Sequence, residues 1–150
     1  MKKFELTDES IEVGERTLCR IKALKDFGNV KAGDFGGFVE KEENLSHLGD
    51  CWIYGDAWVF DNAWVSGDAE VLEDAWVFGN AQIFGDGKVL EDACVFGNGR
   101  VSDNAEVSGN ARVYGNAHVF GDACIYENAE VYGNANVFEG FIGGMNYEKV

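Results

Sequence analysis

A strict six-residue period runs through the centre of this 150-residue chain. Val or Ile occupies every sixth position without interruption from Ile53 to Val137. Asp or Asn comes three residues before each of these positions, and Ala, Cys or Gly comes two residues before it. A fixed short period indicates a solenoid of stacked turns, because one repeat can bury its aliphatic side chain only against neighbouring repeats.

Each repeat predicts one short strand and one corner. The small residue and the aliphatic residue alternate with variable residues, as they do in a strand that turns one side inward. The corner pairs are mostly Gly-Asp or Gly-Asn, and these residue types tolerate a positive φ. The chain has no Pro, which suits a fold in which nearly every backbone N–H enters a ladder.

The run from Val113 to Ala123 resembles the hexapeptide repeat of the bacterial hexapeptide-transferase superfamily. In that pattern an aliphatic residue is followed four places later by a small one, as Val113 is by Ala117. The resemblance covers residues 47–138 and implies an all-β, left-handed parallel β-helix with three strands per coil. With three hexapeptides to a coil, we expect about five coils.

The remaining segments are predicted to close the two ends of the solenoid. Residues 1–46 contain a β-hairpin pattern at 10–13 and 17–24, and they are expected to cap the open first coil, whose edge would otherwise recruit strands. An independent binding element is the alternative for this segment. Residues 139–150 break the register and are expected to cover the other end.

The N-terminal segment, residues 1–46, carries a second resemblance. Residues 24–28 and 36–40, followed by 44–46, resemble the leader of phage and bacterial hexapeptide-repeat proteins of obscure function. This similarity implies a setting, and it implies no activity.

The charge is negative and unevenly distributed. The net charge is −15, and residues 47–150 hold 4 basic against 17 acidic residues. Such a surface repels nucleic acid and polyanionic cofactors, so we expect no nucleic-acid partner and no cofactor. Two explanations stay open: solubility, or attraction of a basic partner, including mimicry of nucleic acid.

The sequence also bears on compartment and metals. It contains no long apolar run and no apolar signal core, so we expect a cytoplasmic protein with no membrane contact. The four cysteines are expected to be reduced. No Cys-x-x-Cys motif or His cluster indicates a metal site. A bound Ca²⁺ at the acidic corner of Glu73, Glu91 and Glu127 is a weaker hypothesis than a solvated ridge.

A period of 18 residues sorts the outward side chains onto three faces, which begin at Trp52, Trp58 and Trp64 respectively. The second face is the most apolar, and a patch of that size is expected to be covered. Because similar folds form trimers through such faces, we predict a homotrimer. The predicted interface residues are Trp58, Phe60, Trp76, Phe78, Phe96, Tyr114 and Tyr132. The alternative is that these rings stack only on each other.

No catalytic residue is predicted. The family's acyltransferases use a His base and commonly a loop inserted into the repeat, but this repeat is unbroken and the chain has only His47 and His118. His47 is interpreted as a boundary residue. His118 is predicted to lie over Arg100 on the third face, where an anionic group could bridge the two. The predicted ligand-binding residues are Arg100, His118, Ser102, Phe84 and Phe120, with Arg112 and Trp76 supplied by a neighbouring subunit.

Three functional hypotheses follow. The leading one is a non-catalytic homotrimeric solenoid that binds a protein or a small anionic ligand, in a sequestering or inhibitory role that would fit a phage-encoded protein. The second is an acidic mimic of nucleic acid that blocks a nucleic-acid-binding enzyme. The third is an acyltransferase that uses His118.

Overall fold

The computed structural model describes residues 2–143 and 146–149. It is an all-β solenoid of about six turns with parallel sheets, which confirms the predicted fold class. The only helical segment among the described residues is one 3₁₀ turn, Glu42–Asn44. There are about six turns instead of five because segments on both sides of the repeat add strands to it.

Three sheets form the faces of the solenoid. The first face holds β4 (Trp52–Ile53), β7 (Glu70–Val71), β10 (Lys88–Val89), β13 (Glu106–Val107), β16 (Cys124–Tyr126) and β19 (Phe141–Gly143). The third face holds β6 (Trp64–Val65), β9 (Gln82–Ile83), β12 (Arg100–Val101), β15 (His118–Val119) and β18 (Asn136–Val137).

The second face is the longest sheet, with nine strands. Its parallel strands are β3 (Phe35–Val39), β5 (Trp58–Val59), β8 (Trp76–Val77), β11 (Cys94–Val95), β14 (Arg112–Val113), β17 (Glu130–Gly133) and β20 (Asn146–Lys149). An antiparallel hairpin of β1 (Phe4–Val13) and β2 (Arg16–Ala23) extends this sheet beyond β3.

The core is a set of aliphatic columns, as the period predicts. On the second face each Val pairs with the Val 18 residues away, and all five are fully buried: Val59, Val77, Val95, Val113 and Val131. Burial of each Val contributes about 1.5–3 kcal/mol.

The hairpin is confirmed, but the following segment does more than cap the end. Phe38 and Val39 of β3 pair in parallel with Trp58 and Val59, so β3 is a further strand of the solenoid. Gly36 and Gly37 permit this approach, because a Cβ on either would collide with a backbone carbonyl oxygen of β4 or of the corner that follows it. The division at residue 46 stays a prediction.

A buried lysine closes the N-terminal end. Lys3 is fully buried, and its Nζ donates to the carbonyl oxygens of Cys51 (2.7 Å) and Gly49 (3.2 Å) while lying over the ring of Phe27. Burial lowers the pKa of Lys3 below its ordinary value. Trp52 packs against Phe4 and Phe27 beside it.

The C-terminal segment continues the solenoid with a shorter corner. Phe141 lies opposite Cys124, and Ile142 lies opposite Ile125. An 18-residue offset predicts Ile142 over Cys124, and this prediction is wrong because the last corner is one residue shorter than the others. All four cysteines are unpaired. Within residues 2–143 and 146–149, no helix is long and apolar enough to cross a membrane.

Candidate ligand-binding site

Two basic side chains meet on the third face. Arg100 of β12 and His118 of β15 are direct partners on neighbouring parallel strands, which are about 4.8 Å apart. Val101 and Val119, the next residues, are fully buried. Since side chains alternate along a strand, Arg100 and His118 point outward, as predicted.

Ser102 holds the imidazole of His118. Its Oγ is 2.8 Å from Nε2 of His118, and the serine is only 2% exposed. The sequence interpretation offered Ser102 as a hydroxyl for the ligand. The structure instead gives it a positioning role, because its hydroxyl is covered and already engaged with the imidazole.

The surroundings of His118 favour the neutral imidazole. Burial makes the largest contribution and the positive charge of Arg100 the next, and together they lower the pKa of His118, while Asp103 acts in the opposite direction. Two like charges at this distance are costly. An anion between them would remove that cost and accept charge-assisted hydrogen bonds from both.

Arg100 forms no ion pair or hydrogen bond through its side chain with any described residue. Asp103, a corner carboxylate three residues along the chain, accepts the backbone N–H of Gly121 at 3.0 Å. The two arginines of the N-terminal hairpin, Arg16 and Arg20, both contact carboxylates. Arg100 is exposed and available to a ligand.

Two aromatic rings flank the imidazole. The Phe120 and Phe84 rings lie 4.6 and 6.2 Å from His118, centroid to centroid, and both are tilted. They border the Arg100–His118 pair with apolar surface. The structure therefore brings together five predicted ligand-binding residues: Arg100, His118, Ser102, Phe84 and Phe120.

The other two predicted ligand residues lie elsewhere. Trp76 and Arg112 belong to the second face, on β8 and β14. They could reach the third-face cluster only from another subunit, so their contribution stays a prediction.

The second-face rings form a continuous ladder. Phe60, Phe78, Phe96, Tyr114 and Tyr132 stack with centroids 4.9–5.2 Å apart, and Trp58 stacks on Trp76 at 4.6 Å. The hairpin packs against the start of this ladder through Leu18, which together with Phe38 and Phe60 forms a second small core. The rings do stack on each other. Whether the face also contacts further subunits stays a prediction.

The corners are tied together along the solenoid axis. At one corner an Asn recurs every 18 residues, and the side-chain amide nitrogens of Asn98 and Asn116 donate to the side-chain oxygens of Asn116 and Asn134 respectively. Corner carboxylates at positive φ accept the N–H of the glycine one turn on, as Asp61 does from Gly79 and Glu91 does from Gly109. Across the part of the chain that the structure describes, no group of three or more His, Cys, Asp or Glu side chains could hold a metal ion.

Sequence reasoning missed a groove on the second face. It has a volume of about 410 Å³ and is lined by Asp56, Trp58, Asp74, Trp76, Asp92 and Cys94. The sequence does contain a signal for this groove. Asp56, Asp74 and Asp92 each come two residues before a second-face strand residue, which is Trp58, Trp76 or Cys94 respectively. The period alone does not show that the aromatic side chains and these aspartates line one groove.

Comparison with known proteins gives a consistent result. A family model described as the YdcK β-solenoid repeat matches residues 105–121. Over 80 residues the chain is 34% identical to an Escherichia coli K12 protein described as "Uncharacterized acetyltransferase YdcK", and the match covers 47% of this chain. The match spans 24% of that protein's length. Together with the parallel solenoid, these similarities confirm the resemblance to hexapeptide-repeat β-helix proteins on which the predicted fold rested.

Proposed function

We propose that this protein is a non-catalytic β-solenoid that binds a small anionic ligand at Arg100 and His118. The observation that carries the proposal is Arg100, an exposed arginine without an ion pair among the described residues of a chain with net charge −15. In so acidic a chain, an arginine whose charge no carboxylate neutralises is suited to an external anion.

The geometry supports a ligand that carries both a negative group and an apolar part. Arg100 offers a planar fork of N–H donors, which suits a phosphate or a carboxylate. Ser102 contacts Nε2 of His118, and the other ring nitrogen, Nδ1, has no hydrogen-bond partner among the described residues. The Phe84 and Phe120 rings supply a surface for an aromatic or sugar group. A nucleoside monophosphate combines these chemical features.

Calorimetric titration with inorganic phosphate and with adenosine monophosphate tests the proposal. Wild type should bind, and Arg100→Ala should lose roughly tenfold or more in affinity, since a charge-assisted hydrogen bond contributes about 1.5–3 kcal/mol. Lys88→Ala is the matched control, because it removes one positive charge from the first face. Equal affinities in wild type and Arg100→Ala, or no binding by wild type, would contradict the proposal.

The acyltransferase hypothesis has one point in its favour, which is the description of the E. coli relative. Against it, the hexapeptide strands follow one another without an inserted segment from β4 to β18, and the net negative charge disfavours a polyanionic acyl donor. Incubation with acetyl coenzyme A and small amine or hydroxyl acceptors separates the two functions. Turnover that His118→Ala abolishes would establish the enzyme.

A further inference from the structure

One of the chain's own arginines, Arg20, contacts both an aromatic ring and a corner carboxylate. The Arg20 guanidinium carbon lies 4.3 Å from the centroid of the Phe38 ring. One guanidinium nitrogen is 3.2 Å from Oδ1 of Asp56, and another donates to the carbonyl oxygens of Gly36 and Gly55 at 2.7 and 3.2 Å. The side chain of Arg20 is only 18% exposed. An aromatic face next to a corner aspartate thus binds a guanidinium in this fold.

An aromatic ring beside a corner aspartate occurs again further along the second face. Phe38 is the strand partner of Trp58, Trp58 of Trp76, and Trp76 of Cys94. Asp56, Asp74 and Asp92 follow in parallel at intervals of 18 residues along the adjoining corner. The groove of about 410 Å³ lies between the aromatic column and the acidic column.

No cationic side chain among the described residues pairs with the carboxylates beside Trp76. The side-chain oxygens of Asp74 and Asp92 accept no hydrogen bond and form no ion pair with any described residue. Trp76 is 40% exposed, and one side of its indole is covered by Trp58. Its next neighbour is Cys94, whose short side chain cannot cover an indole. Arg112 is the strand partner of Cys94 on the next turn and does not line the groove.

We propose that the groove at Trp76, Asp74 and Asp92 binds an arginine side chain of a basic partner protein. A guanidinium is attracted to the face of an indole ring, and more strongly when both are desolvated, and the two carboxylates add charge-assisted hydrogen bonds. The net charge of −15 attracts a basic protein over a longer range. This site is independent of the anion site on the third face. The partner's arginine and a neighbouring subunit of the predicted homotrimer exclude each other at Trp76.

The test uses the full chain and a blocked peptide with one arginine between glycines, followed by the NMR signals of the indole N–H groups. The matched probe has citrulline in place of arginine, which keeps the shape and removes the charge. We expect saturable binding of the arginine peptide that shifts the Trp76 signal, and binding of the citrulline peptide weaker by roughly tenfold.

Variants locate the site and exclude general charge attraction. Asp92→Asn and Trp76→Leu should each weaken binding about fivefold or more, whereas Asp86→Asn, the same change at a corner on another side of the solenoid, should leave it unchanged. Arg112→Gln should tighten binding, because it removes a like charge from the strand next to Cys94. Equal weakening by Asp86→Asn or absence of saturable binding would overturn the proposal. An oligomer in native mass spectrometry whose Trp76 indole N–H signal is insensitive to solvent and to the peptide would overturn it as well.

Discussion

The hydroxyl oxygen of Ser102 lies 2.8 Å from Nε2 of His118 across two adjacent turns of the solenoid. This contact fixes the imidazole plane and assigns its two nitrogens to different surroundings. Nε2 contacts Ser102, and Nδ1 has no hydrogen-bond partner among the described residues, so Nδ1 is available to a ligand.

Ser102→Ala should loosen the imidazole without breaking the fold. The loss of one hydrogen bond costs about 0.5–1.5 kcal/mol in the free energy of unfolding, which chemical denaturation measures. Anion affinity should fall together with the order of the ring, as reported by NMR relaxation of His118. If affinity were unchanged in Ser102→Ala, Ser102 would not be a positioning residue.

The lowered pKa of His118 predicts a pH dependence of stability. The folded pKa lies below the ordinary value of about 6.5, so the unfolded chain binds more protons once the pH falls into that range. The free energy of unfolding should therefore decrease as the pH falls below about 6.5. His118→Asn should lack this part of the dependence, which urea titrations of both proteins between pH 5 and 8 would reveal. Identical slopes would count against the assignment.

The repeat period accounts for the parts of the structure that follow from register alone. It placed Arg100 next to His118 and aligned the five second-face valines, because an 18-residue offset determines which strands are partners. It could not show that Ser102 is buried, since coverage by neighbouring side chains depends on rotamers and not on spacing.

The six-residue period could not predict the additional strands or the second-face groove, for other reasons. Residues 35–39 carry no hexapeptide pattern, yet two glycines let this segment approach the first turn closely and pair with β5. Lys3 is buried by contacts with residues more than 40 positions away, which no local pattern reveals. The site at Trp76 depends on a groove lined both by strand residues such as Trp58 and by corner residues such as Asp74. These belong to different parts of the repeat.

Two corner residues at positive φ should respond differently to glycine. Glu73 and Asp103 have φ of 59° and 56°, a conformation that costs a non-glycine residue about 1–2 kcal/mol. No hydrogen bond to the Glu73 carboxylate occurs among the described residues, whereas Asp103 accepts the N–H of Gly121. Glu73→Gly should raise the free energy of unfolding by up to about 1 kcal/mol after the extra chain entropy of glycine is subtracted.

Asp103→Gly should give no such gain, because it also removes a charge-assisted hydrogen bond of about 1.5–3 kcal/mol. Thermal and urea unfolding of the two variants provide the comparison. Equal stabilisation of both would show that the carboxylate contact contributes nothing.

A charge placed in the valine column should abolish folding. Val95 is fully buried between Val77 and Val113, and an unpaired carboxylate there costs several kcal/mol. Val95→Asp should lose the strand signal in circular dichroism. Gln82→Asp introduces the same side chain at an exposed position on β9 and should remain folded. A folded Val95→Asp would contradict the inward orientation of this column.

The most direct test of the anion site is the pKa of His118, measured by NMR with and without saturating inorganic phosphate. The chain has only two histidines, so His47, at the opposite end of the repeat, serves as an internal control. A bound anion favours the imidazolium, so the pKa of His118 should rise on phosphate addition. Arg100→Ala should abolish the phosphate-induced rise. An unchanged pKa of His118 at saturating phosphate would contradict the account.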